Sequence, residues 1–250
     1  MRVTPIEILK RNVDAVRARI LVACERVGRD PAEIRMLTVT KYAPMAALRG
    51  LLEIGVRDFG ENRPQQLAQR AAKLGSDLGG DAGDKPCWRM IGHLQRNKVR
   101  QTLEVCREIH SLDSIRLADE IESRAKALNI PSGGVGVFVE INTGGEDAKT
   151  GLSAEAAREV VQHLPNCPTI HMLGLMTMAP YADDPQTVRP MFAKLRALRD
   201  EWIETGVARP DARRLSMGMS NDFEVAIEEG ATDIRLGSVL FEGIDTEDPR

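Results

Sequence analysis

The chain has 250 residues, of which 42% are hydrophobic and 28% are charged, a composition typical of a globular protein. This composition excludes a disordered chain, a collagen and a disulfide-stapled mini-protein. The formal net charge of -3 argues against a protein that coats polyanions, and aromatic residues, at 4%, leave few platforms for stacking single-stranded nucleic acid. We therefore expect no nucleic-acid partner.

The four cysteines are scattered and form no C-x-x-C pair, and the four histidines show no ligand spacing with them. This pattern favours reduced thiols in a cytosolic chain and predicts neither a disulfide framework nor a metal site. No apolar run approaches the roughly 20 residues of a membrane span, and the N-terminus lacks the apolar region of a signal peptide. We expect a cytoplasmic protein with no membrane association.

The first predicted element is a helix over residues 4–27. Thr4 and Pro5 are suited to cap and start a helix, and apolar residues then recur at helical spacing. The stretch from Gly28 to Pro31 ends this helix.

After this helix, short apolar runs rich in β-branched residues alternate with longer amphipathic stretches. The short runs lack alternating polarity, which is typical of strands buried on both faces. The predicted strands are residues 34–40, 56–59, 88–91, 108–112, 135–141, 170–176, 214–217 and 233–236. The predicted helices between them are residues 45–54, 64–74, 94–106, 114–128, 153–164, 184–204 and 222–229. The alternation predicts an α/β protein with a parallel sheet.

The number of strand–helix units favours a single (β/α)8 TIM barrel with an extra N-terminal helix, although a doubly wound open sheet has the same local pattern. No linker divides the chain, so we expect one domain over residues 1–250. The stretch 75–86 is rich in Gly and Asp, and it predicts a flexible loop on the rim without a chemical role.

Polar residues follow nearly every predicted strand, and in a barrel all of these positions meet at the C-terminal face, where active sites lie. Lys41 follows the first strand. Burial there would lower the pKa of its amine and suit it to form a Schiff base with an aldehyde cofactor. The alternative interpretation is a strand-end lysine that reaches into water.

The end of the chain contains a candidate phosphate site. Ser220 precedes an amphipathic helix, so its hydroxyl and the N–H groups at the helix start could hold an oxyanion. Gly237 and Ser238 follow the last strand, where barrels often bind phosphate. The alternative is an ordinary cap and an ordinary turn, and Asn221 with Glu224 has the spacing of a capping box.

Arg235 lies in the last strand, two residues before Gly237, so both residues face the same side, which we take to be the barrel interior. A buried arginine requires a partner, either a structural carboxylate or a ligand atom. Asn62 and Asn142 end two other strands and could position a ligand or bond to loop backbone. We favour a capping role for His93.

Several motifs occur in an order that resembles a known family. They are Thr40-Lys41, Phe59-Gly-Glu-Asn62, Trp88-x-x-Ile-Gly-His-Leu-Gln-x-Asn-Lys98, Gly174-Leu-Met176, Leu215-Ser-Met-Gly-Met-Ser220-x-Asp222 and Arg235-x-Gly237. The set resembles the pyridoxal phosphate homeostasis protein family, also called the proline synthetase co-transcribed family, from residue 33 to residue 243.

The resemblance implies a fold-type III barrel, similar to the N-terminal domain of alanine racemase, that carries pyridoxal 5'-phosphate (PLP). By matching motif, Lys41 is the Schiff-base lysine, and Ser220 holds the phosphate together with the backbone of Gly237 and Ser238. The match also implies that Arg235 faces the pyridine nitrogen and that Asn62 lies beside the cofactor ring.

The function that the resemblance implies is non-catalytic: binding, buffering or delivering PLP, with PLP-dependent apo-enzymes as possible recipients. Racemisation needs proton transfer on both faces of a carbanion, and we expect no second domain to supply the second group. The alternative is a fold-type III racemase or decarboxylase, which a tyrosine facing Lys41 would favour, but we expect Tyr42 to point away. A third hypothesis is a cofactor-free barrel acting on a phosphorylated sugar or indole, with Glu61 and Asp113 as acid and base.

Two departures from the family pattern accompany this resemblance. The family usually continues Ile-Phe-Gly after the last strand, whereas this chain has Leu240-Phe-Glu242-Gly243. The stretch 77–84 is also longer and more acidic than the usual loop. We expect the first departure to alter the local turn and the second to affect only the rim. Without a second domain for dimerisation, a monomer is expected.

Overall fold

The computed structural model describes residues 4–77, 85–144 and 150–245. Its eight strands close into a barrel in chain order, and every neighbouring pair is parallel, including the last strand with the first. The strands are β1 (Arg35–Val39), β2 (Asp58–Glu61), β3 (Cys87–Met90), β4 (Glu108–Leu112), β5 (Val135–Glu140), β6 (Ile170–Met176), β7 (Arg214–Met219) and β8 (Asp233–Leu236). The predicted (β/α)8 barrel is confirmed, and the open sheet is excluded because β1 pairs with β8.

The helices lie between consecutive strands on the outside of the barrel. They are α2 (Met45–Glu53), α3 (Pro64–Asp77), α4 (Val99–Leu103), α5 (Ile115–Ala127), α6 (Ala154–His163), α7 (Arg189–Glu204) and α8 (Phe223–Glu228). The extra N-terminal helix is α1 (Pro5–Val27), which a capping box between Thr4 and Glu7 begins and which Gly28, at a φ of 66°, ends. In the described part of the chain, no helix combines the length and apolar character required to cross a membrane.

Several predicted elements differ in extent from the observed ones: the predicted strand 56–59 is observed at Asp58–Glu61, and the predicted helix 184–204 begins as a 3-10 helix at Pro185–Val188 before α7. The predicted helix 94–106 is a 3-10 turn at Arg96–Lys98 followed by the short α4. Beyond the end of α4, the buried Cys106 thiol lies within hydrogen-bond distance of the backbone carbonyls of Trp88 and Glu108. α3 extends into the predicted loop 75–86, of which residues 78–84 lie outside the described residues.

Strand side chains alternate between two environments, as the period of two requires. On β5, Val137 and Val139 face outward and are fully buried beneath the helices, whereas the Phe138 ring lies in the interior, 4.2 Å from the His110 ring. The apolar core therefore lies mainly between barrel and helices.

The N-terminal end of the barrel interior is filled by charges rather than by apolar side chains. We call Arg35, Arg89, Glu108, Arg214 and Asp233 the interior ion-pair cluster. The Glu108 carboxylate lies 3.0 Å from Arg35 Nη1, 3.3 Å from Arg214 Nη2 and 3.5 Å from Arg89 Nε, and Arg214 also pairs with Asp233. Burial acts to raise the pKa of Glu108, but the His110 N–H and the arginines outweigh it and lower that pKa from its ordinary value.

Replacing Glu108 by Gln tests how much this cluster stabilises the fold. We expect Glu108→Gln to lower the free energy of unfolding by about 3 to 5 kcal/mol at pH 7, because it leaves three arginines with less compensating charge. Since folding lowers the pKa of Glu108, its contribution is complete above the ordinary value of 4.5 and is lost as pH falls through the folded value.

Urea unfolding across the acid range measures both effects. The difference in the free energy of unfolding between the unaltered protein and Glu108→Gln should narrow below pH 4.5. Glu104→Gln is the matched control, because Glu104 is an exposed partner of Arg100 on the surface. A Glu108→Gln protein as stable as this control would contradict the prediction.

Candidate functional site

A cavity of about 450 Å³ opens at the C-terminal mouth of the barrel, beside the ends of β1, β7 and β8. It brings together five of the six residues that the sequence singled out, which are Lys41, Ser220, Arg235, Gly237 and Ser238. These residues are separated by up to about 200 positions in the sequence, so closure of the barrel is what places them around one space. Asn62 is not among the described residues that line this cavity.

The loop that carries Lys41 is fixed from outside the barrel. Arg70 of α3 donates to the backbone carbonyls of Thr40 and Ala43, on either side of Lys41. The Glu61 carboxylate lies 3.3 Å from Arg70 Nε and accepts a 2.5 Å hydrogen bond from the Thr40 hydroxyl. Burial raises the pKa of Glu61, while Thr40 and Arg70 act in the opposite direction. Glu61 therefore stabilises the loop that carries Lys41 through its contacts with Arg70 and Thr40.

Tyr42 also lines the cavity, which corrects the expectation that it points away. The Lys41 Nζ atom lies over the Tyr42 ring, 4.9 Å from its centroid. The ring face is attracted to a cation at this distance, so Tyr42 positions the lysine side chain.

Arg235 is 4% exposed, and its guanidinium makes two hydrogen bonds with neutral groups. Nη1 donates to Ser216 Oγ at 2.7 Å, and Nη2 donates to the Thr177 carbonyl at 2.8 Å. Among the described residues, no carboxylate lies within ion-pair distance of this guanidinium. Burial lowers the pKa of Arg235 to about 10, and the carboxylates of Asp222 and Glu140 oppose this effect from a distance. Arg235 therefore remains protonated at neutral pH.

A chain of hydrogen bonds joins Arg235 to the interior ion-pair cluster. His110 Nε2 lies 2.9 Å from Glu108 Oε1, and His110 Nδ1 lies 2.8 Å from Ser216 Oγ. Burial lowers the pKa of His110, which favours the neutral ring. An ionised Glu108 can only accept, so Nε2 carries the proton and Nδ1 accepts from Ser216, whose oxygen in turn accepts from Arg235. The donors in this chain all point toward Glu108.

The residues that are predicted to bind phosphate contact one another. The Gly237 N–H donates to Ser220 Oγ at 3.1 Å, and Ser238 begins a short 3-10 helix. The predicted capping box is wrong: Asn221 Nδ2 donates to the Ala182 carbonyl, and Asp222 occupies the N-cap position of α8 without a side-chain capping hydrogen bond. Asn221 therefore fixes a neighbouring loop instead of the helix start.

Asn62 and Gly92 lie against each other at the ends of β2 and β3. A Cβ atom on Gly92 would lie 2.4 Å from the Asn62 carbonyl oxygen, so only glycine permits this approach. The Asn62 Oδ1 atom is buried and has no hydrogen-bond partner in the described part of the chain. An unpaired buried amide oxygen is costly, so this atom is available to a ligand. Asn142, in contrast, accepts from the Gly144 N–H within its own loop.

A second cavity, of about 440 Å³, opens at the same mouth near the ends of β3, β4 and β5, and Glu140, Asp113 and His93 line it. His93 Nδ1 lies 2.9 Å from Asp113 Oδ2, and His93 lines the mouth of the barrel. The prediction that His93 caps a helix is therefore wrong. Glu61 lies elsewhere, against Arg70, and so does not form an acid–base pair with Asp113. Sequence reasoning missed Glu140, although a carboxylate ending a buried apolar strand was a usable signal.

Another cavity, of about 760 Å³, opens at the N-terminal end of the barrel, away from these residues. Arg35 and Arg214 line it, but both already pair with Glu108 and Asp233. Because the mouth contains the unpaired ligand-binding groups and this end contains paired charges, we assign the functional site to the mouth.

Possible metal ligands meet at one point on the outer surface, which sequence spacing did not indicate. Asp119, His163 and Cys167 have potential ligand atoms within 4.8 Å of one another. Burial raises the pKa of Cys167 to about 11, and Glu122 and Asp119 act in the same direction. A metal ligand must be the thiolate, so these surroundings disfavour the cysteine as a ligand.

Comparison with known proteins assigns the chain to a family. A family model described as the N-terminal domain of alanine racemase matches residues 12–244. A pyridoxal phosphate homeostasis protein of Aquifex aeolicus (strain VF5) is 44% identical over 231 residues, covering 92% of this chain and 96% of that protein. The chain belongs to the pyridoxal phosphate homeostasis protein family. The resemblance carried by the sequence motifs is confirmed.

Solved structures agree with this assignment. A protein from Bifidobacterium adolescentis, described as unknown, is 34% identical and superposes with a TM-score of 0.84, covering 96% of this chain and 97% of that chain. PipY of Synechococcus elongatus PCC7942, in a structure with PLP bound, is 30% identical with a TM-score of 0.74, covering 90% and 99%. The family therefore shares the barrel described above.

Removing the Ser216 hydroxyl tests the hydrogen-bond chain in the barrel. We expect Ser216→Ala to lower the free energy of unfolding by about 1 to 3 kcal/mol, because a buried histidine nitrogen loses its partner and the buried Arg235 guanidinium loses one of its two. Urea unfolding measures the change. The matched control is Ser132→Ala, which removes an exposed hydrogen bond to the Pro168 carbonyl and should change little. If Ser216→Ala and Ser132→Ala had equal free energies of unfolding, the prediction that this chain of hydrogen bonds stabilises the fold would be contradicted.

Proposed function

We propose that this chain binds PLP in the 450 Å³ cavity and serves intracellular PLP homeostasis by binding, buffering or delivering the cofactor, without a catalytic reaction of its own. The observation that carries the proposal is the cavity itself, in which the Lys41 amine shares one space with the anion-binding candidates after β7 and β8. The relatives named pyridoxal phosphate homeostasis protein and the PLP-bound PipY structure support it.

The residues present fit the cofactor. When bound, PLP supplies an aldehyde that forms a Schiff base with an amine, and a phosphate that requires donors. Lys41 would provide the amine. The Ser220 hydroxyl and the backbone N–H groups of Gly237 and Ser238 would hold the phosphate. The cavity volume falls in the range of small-molecule sites. Asn62 is not among the described residues that line this cavity, and its place beside the ring, which the resemblance implies, stays a prediction.

Arg235 would face the pyridine nitrogen of the cofactor. Its guanidinium is held in place by Ser216 and Thr177, and it remains protonated because its pKa, although lowered to about 10, lies well above neutral pH. An arginine donates and does not accept, so it disfavours a proton on the ring nitrogen and makes the ring a weaker electron sink. This arrangement suits a carrier better than carbanion chemistry.

A racemase or decarboxylase is the second candidate function, and the observation in its favour is that Tyr42 lines the cavity. However, the Tyr42 ring lies against the Lys41 Nζ atom, whereas racemisation needs a second acid on the opposite face from the lysine. The cofactor-free hypothesis loses its acid–base pair, because Glu61 supports the Lys41 loop and Asp113 lies at the other cavity.

The setting of this role is part of the proposal. We propose a single domain over residues 1–250 that acts as a monomer in the cytoplasm and has PLP-dependent apo-enzymes as recipients. The absence of disulfide bonds among the four cysteines of the described chain is compatible with a reducing compartment.

Substitution of Lys41 tests the covalent attachment. We expect the protein with PLP to show a lysine-linked absorption band, and borohydride to trap the cofactor on a peptide containing Lys41. Lys41→Ala should abolish both signals, while Lys10→Ala, at an exposed position of α1, should retain them. A trapped adduct in Lys41→Ala would show that another lysine is attached. An amino-acid panel with the same protein would reveal racemised or decarboxylated products if the second candidate function were correct.

Substitution of Ser220 tests the phosphate site. We expect Ser220→Ala to weaken equilibrium PLP binding about tenfold, because one hydroxyl donor to a charged oxygen is worth about 1.5 kcal/mol or more. Pyridoxal, which lacks the phosphate, should bind both proteins equally. Equal PLP affinity in the two proteins would indicate that Ser220 only bonds the Gly237 N–H.

A further inference from the structure

The second cavity at the mouth, of about 440 Å³, differs in charge from the first. We call it the acidic cavity and define it by Glu140, Asp113, His93, Thr150 and Met178. Among the described residues, no lysine or arginine lines it. It opens at the same end of the barrel as the cavity assigned to the cofactor, because both are formed at the carboxyl ends of the strands.

Glu140 is the innermost group of the acidic cavity. It ends β5, where the alternation that turns Phe138 inward also turns Glu140 inward, and it is only 5% exposed. One carboxylate oxygen bonds the Thr150 side chain, whereas Oε1 is buried and has no partner in the described ranges. Burying a carboxylate oxygen without a hydrogen-bond donor costs free energy, and proteins keep such unfavourable groups at ligand-binding sites.

The charges around Glu140 define which ligand fits. Asp113 faces the same cavity, and its Oδ2 atom lies 2.9 Å from His93 Nδ1. Arg235 acts on Glu140 electrostatically from the barrel interior, without an ion pair between them. Burial raises the pKa of Glu140, and the charge of Asp113 also raises it. Thr150, Arg235 and His93 act to lower this pKa. A small cation with hydrogen-bond donors would pair with Oε1 and relieve this burial cost.

We propose that the acidic cavity binds the primary ammonium group of the amine that accepts the cofactor, and that this amine is a lysine side chain. An α-amino acid also carries an ammonium group, but its carboxylate would meet Glu140 and Asp113 without a lysine or arginine in the described lining to pair with it. The inference rests on the proposed function, since it names the chemical class of the recipient.

The proposed exchange is balanced. The incoming ammonium would give one proton to Glu140, and its nitrogen lone pair would form a bond to the carbon of the cofactor's former aldehyde. A second proton would pass from the incoming nitrogen to Lys41 Nζ as the double bond from that carbon to Nζ breaks, and Lys41 would leave as an amine that takes the proton held by Glu140. One carbon–nitrogen double bond replaces another, so no oxidant, reductant or net water is consumed.

Binding of the ammonium group can be measured without the cofactor. The probe is n-butylamine, protonated at neutral pH, titrated into the full chain free of PLP while the methyl resonance of Met178 is followed by NMR. We expect a saturable shift that Glu140→Gln weakens about tenfold, because a charge-assisted hydrogen bond is lost. L-alanine should bind more weakly than n-butylamine.

The matched control is Glu53→Gln, which removes the same charge from an exposed position at the end of α2. It should bind n-butylamine as the unaltered chain does. Glu140→Gln should also unfold at the same or a higher temperature, because it removes an incompletely paired buried charge. Unchanged n-butylamine affinity in Glu140→Gln, or tighter binding of L-alanine, would overturn the proposal, as would a lower unfolding temperature with unchanged affinity.

A second measurement separates this inference from the proposed function. PLP-loaded protein is mixed with Nα-acetyl-lysine, and we expect Glu140→Gln to slow cofactor transfer about tenfold while leaving equilibrium PLP affinity unchanged. Loss of PLP affinity would place Glu140 in the cofactor site and overturn the assignment to the amine. If the unaltered chain failed to bind PLP, the proposed function would fail, whereas the n-butylamine titration would still decide the ammonium site.

Discussion

The barrel depends on a line of ion pairs and hydrogen bonds that runs through its interior from the N-terminal end toward the mouth. Glu108 anchors the N-terminal end among arginines, and His110 and Ser216 extend its hydrogen bonding to Arg235 near the mouth. Burying any of these groups without its partners would cost free energy. The line of hydrogen bonds therefore forms only when the strands that carry these residues close into one barrel. The orientation of Arg235 toward a ligand is therefore a property of the whole interior.

A second, separate support lies outside the barrel. Arg70 of α3 donates to the backbone carbonyls on both sides of Lys41, and Glu61 pairs with Arg70. The Lys41 loop is therefore positioned by a helix, while Arg235 is positioned by the barrel interior. A ligand attached at both residues would then be held by two networks that share no residue. Such positioning by packed elements is more exact than positioning by a free loop.

Charge divides the mouth into two parts. The cavity beside β1, β7 and β8 contains Lys41 and Arg235, which suit an anionic, electrophilic cofactor, whereas the cavity near β3, β4 and β5 contains Glu140 and Asp113, which suit a cation. This division is consistent with a protein that holds a cofactor on one side and receives an amine on the other. Among the described residues of the acidic cavity, an amino-acid carboxylate meets no lysine or arginine.

The sequence by itself determined the order of the elements and five of the residues that line the cavity beside β1, β7 and β8, because strand runs, helix periodicity and the positions of Lys41 and Ser220 after strands are local patterns. Even there, local spacing misled for Asn221, which prefers a distant carbonyl to a capping box. Only the tertiary structure decided that β1 pairs with β8 and that Glu140 shares a cavity with Asp113. The physical reason is that barrel closure and side-chain proximity arise from contacts between residues far apart in the chain, which periodicity does not contain.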